Sequence, residues 1–133
     1  MSEIANQLPR TVLVVDDDVS VLAMVVRWLS DAGLESVTCQ TVETARVCLE
    51  AWRPDVLVTD VRVNLTNGLH LVVLARHRVP TIKSIVMSGF DDPVLTEEAR
   101  AQNASFLLKP LSRKQLLGAI LGPDDPSVSA DKT

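Results

Sequence analysis

The sequence predicts an α/β fold in which helices cover both faces of a five-stranded parallel β-sheet. Short apolar runs alternate five times with segments of helical periodicity, which is typical of a chain built from strand–helix units. The run at residues 12–15 is all Val and Leu, as expected for a strand that is buried on both faces. Three of the runs also stop on charged residues, so they place polar groups where parallel strands end.

Each predicted element follows from this alternation. The five strands are predicted at Val12–Val15, Glu35–Cys39, Asp55–Thr59, Ile82–Met87 and Ser105–Leu108. The five helices are predicted at Val19–Ala32, Val42–Ala51, Leu69–Arg78, Pro93–Gln102 and Arg113–Leu121. Right-handed crossovers between successive strands would place these helices on both faces of the sheet.

Residues that favour helix ends support these boundaries. Gly33 stands where the first helix would end in the left-handed conformation. Asp92 and Pro93 are typical of an N-cap and the first helical residue of the fourth helix. Ser112 and Gln115 have the spacing of a capping box at the start of the fifth helix.

The first helix carries an unusually wide apolar surface. The residues predicted to face the sheet, at a period of 3.6, are Val21, Met24, Val25, Trp28, Leu29 and Ala32. Leu22 and Val26 lie on the flank of this stripe, one turn apart. Two interpretations stay open: the pair extends the core, or it forms part of a docking surface for a partner such as a kinase.

Composition limits the class of protein. The chain has 133 residues, enough for one domain, with 13 Lys and Arg against 17 Asp and Glu and no basic cluster, which argues against direct nucleic-acid binding. No apolar run approaches the roughly 20 residues that span a bilayer, and the first ten residues lack a signal core. We expect a cytoplasmic protein with a leader at 1–10, a domain at 11–121, and a solvated tail or linker start at 122–133.

The two cysteines have no obvious metal-binding pattern. Cys39 and Cys48 lack a CxxC spacing and neighbouring His residues, so a zinc site is not expected. We predict that both act as small, buried apolar side chains with free thiols, which suits a reducing compartment.

Charged residues follow directly on three predicted strands. Asp16 and Asp17 follow the first strand, Asp60 the third and Lys109 the fifth. Because ligands bind outside the carboxyl ends of parallel strands, these side chains are predicted to share one pocket. Adjacent carboxylates favour a divalent cation between them, and Mg²⁺ takes one or two carboxylates plus phosphate oxygens. A carboxylate nucleophile and a phosphate-binding lysine complete a set that favours phosphoryl transfer.

Each of these residues also has an ordinary structural explanation. An Asp pair after a strand is often a helix N-cap, a role that suits Asp18, and a lone Asp after a strand is common in turns. Lys109 precedes Pro110, and a Lys before Pro is common on surfaces. What favours function is the joint occurrence of these residues with Ser88, a hydroxyl at the end of the fourth predicted strand.

With these residues in place, the chain resembles the receiver domain of two-component response regulators over about residues 10–121. The segments that carry the resemblance are VLVVDDD, VLVTD, NGL, IVMSG and FLLKP. The resemblance implies a flavodoxin-like (βα)5 three-layer sandwich with strand order 2-1-3-4-5. Asn64 and Asn67 depart from the family pattern, which commonly has Pro and Asp at these two places.

The resemblance also implies roles for the residues at the strand ends. Asp60 matches the phosphoacceptor, and Asp16 and Asp17 match the acidic pair that holds Mg²⁺. The backbone carbonyl of Arg62 is expected as a further metal ligand. Lys109 matches the lysine that contacts the phosphoryl group.

Further positions match residues that respond to phosphorylation. Ser88 matches the switch hydroxyl, and Phe106 matches the aromatic side chain that changes rotamer when that hydroxyl moves. Arg62 and Phe90 occupy the two positions that flank the attacking water during dephosphorylation. We expect these bulky side chains to lengthen the lifetime of the phosphorylated state.

The implied function is a signalling switch without substrate turnover. The implied partners are a sensor histidine kinase or a phosphotransfer protein, with a small phosphodonor as another source, and a downstream effector or attached output domain. A phosphorylation-dependent homodimer stays open. One alternative is a pseudo-receiver that binds partners without phosphorylation, although it normally lacks the acidic residues. Another is a phosphatase of the haloacid dehalogenase type, whose first-strand motif this chain does not match.

Overall fold

The computed structural model describes residues 9–129 and contains seven strands and six helices in that range. The strands are β1 Thr11–Val15, β2 Glu35–Cys39, β3 Val56–Asp60, β4 Arg62–Val63, β5 Thr66–Asn67, β6 Lys83–Ser88 and β7 Ser105–Leu108. The helices are α1 Val19–Asp31, α2 Val42–Ala51, α3 Leu69–Arg78, α4 Pro93–Ala101, α5 Arg113–Leu121 and α6 Pro126–Ser129.

Five of the strands form one parallel sheet in the order β2-β1-β3-β6-β7. The other two, β4 and β5, form a small antiparallel hairpin in the connection between β3 and α3. Numbered among themselves, the sheet strands have the order 2-1-3-4-5, and the predicted fold class is confirmed. The central strands β1 and β3 are apolar because both of their faces are covered.

The sheet separates two hydrophobic cores. On one face, Leu13 and Val15 of β1 pack in a cluster with residues of α2 and α3. On the other face, Val12 and Val14 pack in a cluster with residues of α1 and α5. Since neighbouring residues of a strand point to opposite faces, one short apolar run supplies both cores. The result is the three-layer arrangement predicted from the sequence.

The helix ends follow the local signals. The Asp18 side chain accepts hydrogen bonds from the amides of Ser20 and Val21, which makes it the N-cap of α1. The capping box between Ser112 and Gln115 is present at α5. Gly33 follows α1 with a φ of 81°, a left-handed conformation that Gly adopts without a side-chain clash.

Of the two interpretations of Leu22, the structure supports the core and contradicts the docking surface, because this side chain is only 5% exposed and belongs to the core that packs under α1. The buried line of α1 is Leu22, Val25 and Leu29, so the helix is rotated relative to the predicted stripe. The spacing of apolar residues shows how wide the apolar face of a helix is, but it locates the middle of that face poorly. In α1 the flanking Met and Trp side chains are apolar as well, although they are only partly buried. Val26 is half-buried and stays a candidate contact residue.

The chain after α5 does not remain a solvated tail, contrary to the prediction. Residues 126–129 form the short helix α6, and Val128 is 3% exposed in the core beside α5. Arg113 holds this segment, because its guanidinium donates to the carbonyls of Ser127 at 2.9 Å and Val128 at 3.4 Å. One apolar residue among polar neighbours has no periodicity, so the sequence pattern did not reveal it. The domain boundaries stay a prediction, and most of the leader lies outside the described residues.

Two further sequence predictions concern membranes and thiols. Within residues 9–129, every helix is too short or too polar to cross a bilayer. Cys39 is buried and Cys48 is half-buried, and both are free thiols. Burial raises the pKa of the Cys39 thiol to about 11, helped by the hydrogen bond with Cys48. The predicted role of a small, buried apolar side chain therefore agrees with the position of Cys39, whereas Cys48 is only partly buried.

Candidate functional site

The carboxyl edge of the sheet gathers the polar residues predicted from the strand ends. Asp16 follows β1, Asp60 ends β3, Ser88 ends β6 and Lys109 follows β7. The pairing of parallel strands sets their alignment, since Asp60 pairs with Met87 and Ser88 pairs with Leu108. Residues that lie far apart in the chain are thereby brought to one edge, as expected for a parallel sheet.

Three carboxylates form the centre of the site. One oxygen from each of Asp16, Asp17 and Asp60 lies within 4.8 Å of the others, and this is the only such acidic, His or Cys group in residues 9–129. The Asp16 side chain is 1% exposed and the Asp60 side chain is 13% exposed, whereas Asp17 is open to solvent. Mutual repulsion makes such a group costly by itself and favourable around a cation.

Lys109 is the cation that these carboxylates share. Its Nζ donates to Asp16 Oδ2 at 2.8 Å and to Asp60 Oδ2 at 2.9 Å. Its backbone N–H donates to the carbonyl of Ser88 at 2.7 Å, which anchors the end of β7 beside β6. The peptide bond between Lys109 and Pro110 is cis. One ammonium facing three carboxylates leaves the site with an excess of negative charge.

The pKa shifts of Asp16 and Lys109 show how burial and hydrogen bonding act on these two charged groups. Burial raises the pKa of Asp16, and hydrogen bonds from Lys109 and from the Asp18 amide oppose it, but the pKa stays above its usual value. Burial lowers the pKa of Lys109, but hydrogen bonds to Asp16 and Asp60 outweigh it, so the net pKa is raised. Lys109 is therefore held firmly as an ammonium, while Asp16 carries an ionisation penalty that a divalent cation would relieve.

Backbone amides fix the orientation of the three carboxylates. The Asp18 N–H donates to Asp16 Oδ1 at 2.9 Å, and the Arg62 N–H reaches Asp60 Oδ1 at 3.4 Å. The Asn64 N–H donates to Asp17 Oδ2 at 2.8 Å, across a long sequence separation. The second oxygen of Asp16 and of Asp60, Oδ2 in each case, accepts from Lys109.

Asn64 has a structural role that its place in the sequence did not indicate. It adopts a φ of 50°, in the left-handed region, and its N–H binds Asp17. Proline, common at this place in the resembling family, has a φ fixed near −65° and no N–H, so it could do neither. The departure from the family pattern is therefore tied to a different loop conformation, in which Leu65 also has a positive φ of 68°.

Gly68 is required by the close approach of the end of β3 rather than by its own backbone angles. Its conformation is helical, with a φ of −67°. A Cβ atom built there would overlap the carbonyl oxygen of Asp60 and lie 2.9 Å from Thr59 Oγ1. The Gly68 N–H also donates to the Val61 carbonyl at 2.7 Å. The sequence did not indicate this close approach, because the contact forms only in the tertiary structure.

Ser88 and Phe106 lie where the resemblance places them. The buried Ser88 hydroxyl donates to the Phe90 carbonyl at 3.1 Å and accepts from the Phe90 N–H at 3.0 Å. Its described partners therefore belong to its own loop. Phe106 is half-buried and packs against the α2–α3 core. Their switch roles stay a prediction.

An open cleft of about 490 Å³ lies over the carboxylates. Its wall includes Arg62 and Phe90, the two positions predicted to control water access, together with Asn64, Leu65 and Lys109. Phe90 is 71% exposed and Leu65 is 91% exposed, so two apolar side chains stand at the mouth of a charged site. Leu65 did not emerge as a site residue from the sequence.

The donor set fits a hard divalent cation. Carboxylate oxygens are the ligands that Mg²⁺ and Ca²⁺ prefer, and an incompletely enclosed site leaves room for water or phosphate oxygens. The Asp16, Asp17 and Asp60 oxygens are close enough for one ion. The site therefore combines a cation position, a half-buried carboxylate and an ammonium, which together suit the stabilisation of a phosphoryl group.

The model of the response regulator receiver domain family matches residues 12–121. The chain belongs to this family. Over 131 residues this receiver domain is 27% identical to the photosynthetic apparatus regulatory protein RegA of Rhodobacter capsulatus, covering 92% of this chain and 71% of RegA. It is 38% identical over 103 residues to the DNA-binding transcriptional regulator NtrC of Escherichia coli K12, covering 74% of this chain but only 21% of NtrC.

Its fold also matches solved receiver structures. The beryllofluoride-activated NtrC4 receiver domain dimer superposes with a TM-score of 0.76 at 27% identity, covering 82% of this chain and 92% of the other. Receiver domains are the phosphorylation-dependent switches of two-component signal transduction, and this chain is one of them. The family binds its metal at an acidic pocket, in agreement with the group of three carboxylates.

Proposed function

We propose that Asp60 is the phosphoacceptor of this receiver domain and that Lys109 and the acidic pair form its reaction site. The observation that carries the proposal is the position of Lys109 Nζ, 2.9 Å from Asp60 and 2.8 Å from Asp16. A carboxylate nucleophile, a cation position and an ammonium thereby lie within hydrogen-bonding distance of one another. This is the equipment needed to move a phosphoryl group onto a carboxylate.

Asp16, Asp17 and Asp60 would hold Mg²⁺, with the backbone carbonyl of Arg62 as a further ligand. When bound, Mg²⁺ offsets the charge that keeps an anionic donor away from an anionic nucleophile. An Asp60 oxygen attacks the donor phosphorus, and the bond from phosphorus to the donor's leaving atom breaks. Lys109, already within hydrogen-bonding distance of Asp60, shifts to a phosphoryl oxygen and stabilises the charge there.

The signal would pass from the phosphoryl group to the fold through Ser88. Its hydroxyl exchanges the hydrogen bonds with the Phe90 backbone for one to a phosphoryl oxygen, which draws the loop after β6 towards Asp60. Phe106, half-buried on the neighbouring strand, then changes rotamer. The two states differ in these contacts, so phosphorylation shifts their populations.

We propose no turnover of a separate substrate. The acyl phosphate on Asp60 is lost to water, and Arg62 and Phe90 at the cleft wall restrict that water. Arg62→Asn and Phe90→Ala should therefore each speed the decay of phosphorylated protein, by about threefold to tenfold if one oriented water is at stake. Decay is followed by intact mass after the donor is removed. Unchanged decay in both variants would remove this role.

The proposed partners are a sensor histidine kinase or phosphotransfer protein and a downstream effector or attached output domain. The chain covers about a fifth of NtrC, so what the remainder of such a protein does is not carried over. A homodimer in the phosphorylated state is proposed by analogy with the NtrC4 receiver dimer. Val26 stays a candidate docking contact, whereas Leu22 is withdrawn because it is buried. A cytoplasmic location would suit these partners.

The deciding experiment is intact-mass spectrometry after incubation with a small phosphodonor, with and without Mg²⁺. We expect one phosphoryl adduct that needs Mg²⁺, is labile to hydroxylamine and is absent from Asp60→Asn. Asp31→Asn, the same change at an exposed carboxylate on the last residue of α1, is the matched control and should be phosphorylated normally. An adduct that persists in Asp60→Asn would refute the assignment. No adduct on protein that also fails to bind Mg²⁺ would favour the pseudo-receiver.

A further inference from the structure

Two thiols face each other on the side of the sheet that carries α2. Cys39 is the last residue of β2 and Cys48 lies in α2, nine positions later, yet their Sγ atoms are 3.6 Å apart. They are the only two cysteines in the chain. Cys39 is 7% exposed in the core that includes α2 and α3, and Cys48 packs against the same core while half-exposed.

We propose that Cys39 and Cys48 are a redox-active dithiol that a small-molecule disulfide oxidises to an internal disulfide, and that this disulfide slows phosphorylation of the neighbouring site. The second part of this inference rests on the proposed function of Asp60. A bonded pair of sulfurs is about 2.05 Å apart, so the two atoms need to approach by roughly 1.5 Å. A rotamer change and a small shift of α2 against the end of β2 supply that distance.

The reaction proceeds in two balanced exchanges. Cys48, the more accessible thiol, loses its proton and attacks one sulfur of the small disulfide, whose S–S bond breaks and releases one thiolate. Cys39 then attacks the Cys48 sulfur, the bond from that sulfur to the second small thiolate breaks, and the departing thiolate takes the Cys39 proton. Two protein thiols are oxidised, and one small disulfide is reduced to two small thiols.

The dithiol is joined to the acidic site through the backbone of β2 and the following loop. The Cys39 carbonyl accepts the N–H of Asp16 at 3.1 Å. The next residue, Gln40, accepts a hydrogen bond from the Asn64 side chain at 3.2 Å, and the Asn64 N–H in turn holds Asp17. A shift of Cys39 towards α2 therefore displaces the supports of both acidic residues. Misplacement of reacting groups by about 1 Å slows catalysis markedly.

The site of oxidation can be located because Arg46 separates the two cysteines. The folded protein is incubated with oxidised glutathione, excess reagent is removed, and the product is digested with trypsin without reduction. We expect the loss of two hydrogen atoms from the intact mass and a cross-link between the peptide of Cys39, residues 28–46, and the peptide of Cys48. Cys48→Ser and Cys39→Ser should show no such loss.

Phosphorylation of the reduced and oxidised proteins is then compared, together with Mg²⁺ affinity by calorimetry. We expect roughly tenfold slower phosphorylation and weaker Mg²⁺ binding after oxidation, and recovery of both with a thiol reductant. Cys48→Ser should keep the reduced-state rate before and after glutathione treatment. A stable glutathione adduct without an internal bond, a cross-linked dimer, or equal rates and equal Mg²⁺ affinities would overturn the inference. Failure of the reduced protein to accept a phosphoryl group would instead count against the proposed function, and the Mg²⁺ comparison would still decide the inference.

Discussion

The two edges of the same sheet use carboxylates in opposite ways. At the amino edge, Asp55 Oδ2 accepts hydrogen bonds from the Arg10 N–H at 2.8 Å, the Thr11 N–H at 3.1 Å and the Thr11 hydroxyl at 3.2 Å. At the carboxyl edge, three carboxylates lie close together, and two of them, Asp16 and Asp60, share the ammonium of Lys109. At the amino edge one oxygen therefore has three donors, whereas at the carboxyl edge three carboxylates have a single cationic neighbour within residues 9–129.

This difference separates stability from function. A carboxylate with three donors from one segment, as at Asp55, stabilises the start of β1. A crowded group of carboxylates carries an electrostatic penalty in the folded protein, which a bound cation or a phosphoryl group can relieve. We therefore expect changes at the amino edge to alter the free energy of unfolding, and changes at the carboxyl edge to alter ligand binding and its coupling to stability.

The largest expected effect comes from removing the shared ammonium. Lys109→Met leaves the nearly buried Asp16 without its cation, so the free energy of unfolding should fall by about 3 kcal/mol at neutral pH without Mg²⁺. The measurement is urea unfolding with and without Mg²⁺, which should recover part of the loss. Lys83→Met is the matched control at the amino edge, where the Lys83 ammonium donates to the Ile120 carbonyl at 2.9 Å. For Lys83→Met we expect the free energy of unfolding to fall by about 1 kcal/mol, and this loss should not depend on Mg²⁺. If both variants lost the same free energy of unfolding, the proposed difference between the two edges would be contradicted.

A smaller effect is expected from adding one methyl group next to the backbone of Asp60. Gly68→Ala forces a Cβ onto the Asp60 carbonyl, so unfolding should become easier by about 2 kcal/mol and phosphorylation should slow. Gly89→Ala is the control, since a Cβ at that position meets nothing within 4 Å. Thermal unfolding and the phosphorylation assay measure the two consequences. If the two Ala variants behaved alike, the close approach of Gly68 would not matter.

Matched Asp-to-Asn changes test the comparison directly. Asp17→Asn should weaken Mg²⁺ binding by about tenfold, equivalent to about 1.4 kcal/mol, without lowering stability in the absence of Mg²⁺. Asp55→Asn should lower the free energy of unfolding by about 1 kcal/mol and leave Mg²⁺ affinity unchanged. Calorimetric titration and urea unfolding of both variants provide the data. The opposite pattern, or the same pattern in both, would show that the edges are not specialised.

The smallest effect is a change in pH dependence. Because the pKa of Asp16 is raised in the folded protein, its contribution to stability is present below the ordinary value of 3.8 and is lost as pH rises through the folded value. Asp16→Asn removes this loss, so stability should vary less between pH 4 and pH 7 than in the unaltered protein. Urea unfolding across that range without Mg²⁺ measures the difference. A steeper loss of stability with rising pH in the variant would contradict the assignment.

Much of the fold could be predicted because its signals are local. The apolar run that forms β1 indicates burial on both faces, and the capping box of Ser112 with Gln115 defines where α5 begins. Part of the site could be predicted from the topology, because the residues that end parallel strands lie at the same edge of the sheet. Asp16, Asp60 and Lys109 therefore meet as expected.

What could not be predicted depends on contacts between distant segments. The rotation of α1, which buries Leu22, depends on the shape of the surfaces it packs between. Val128 packs beside α5 although its neighbours in the sequence are polar. Gly68 is required by the Asp60 carbonyl, and the approach of Cys39 to Cys48 depends on how α2 lies on the sheet.

The sequence by itself determined the order of the five sheet strands and five main helices, most helix ends, and which charged residues stand at the strand ends, because propensity, capping and polarity act within a few residues. Only the tertiary structure decided the distances within the acidic group, the loop conformation at Asn64, the supply of donors at Asp55 and the pairing of the thiols. Those properties depend on contacts between segments that lie far apart in the sequence. Such contacts are not determined by the local propensities of either segment.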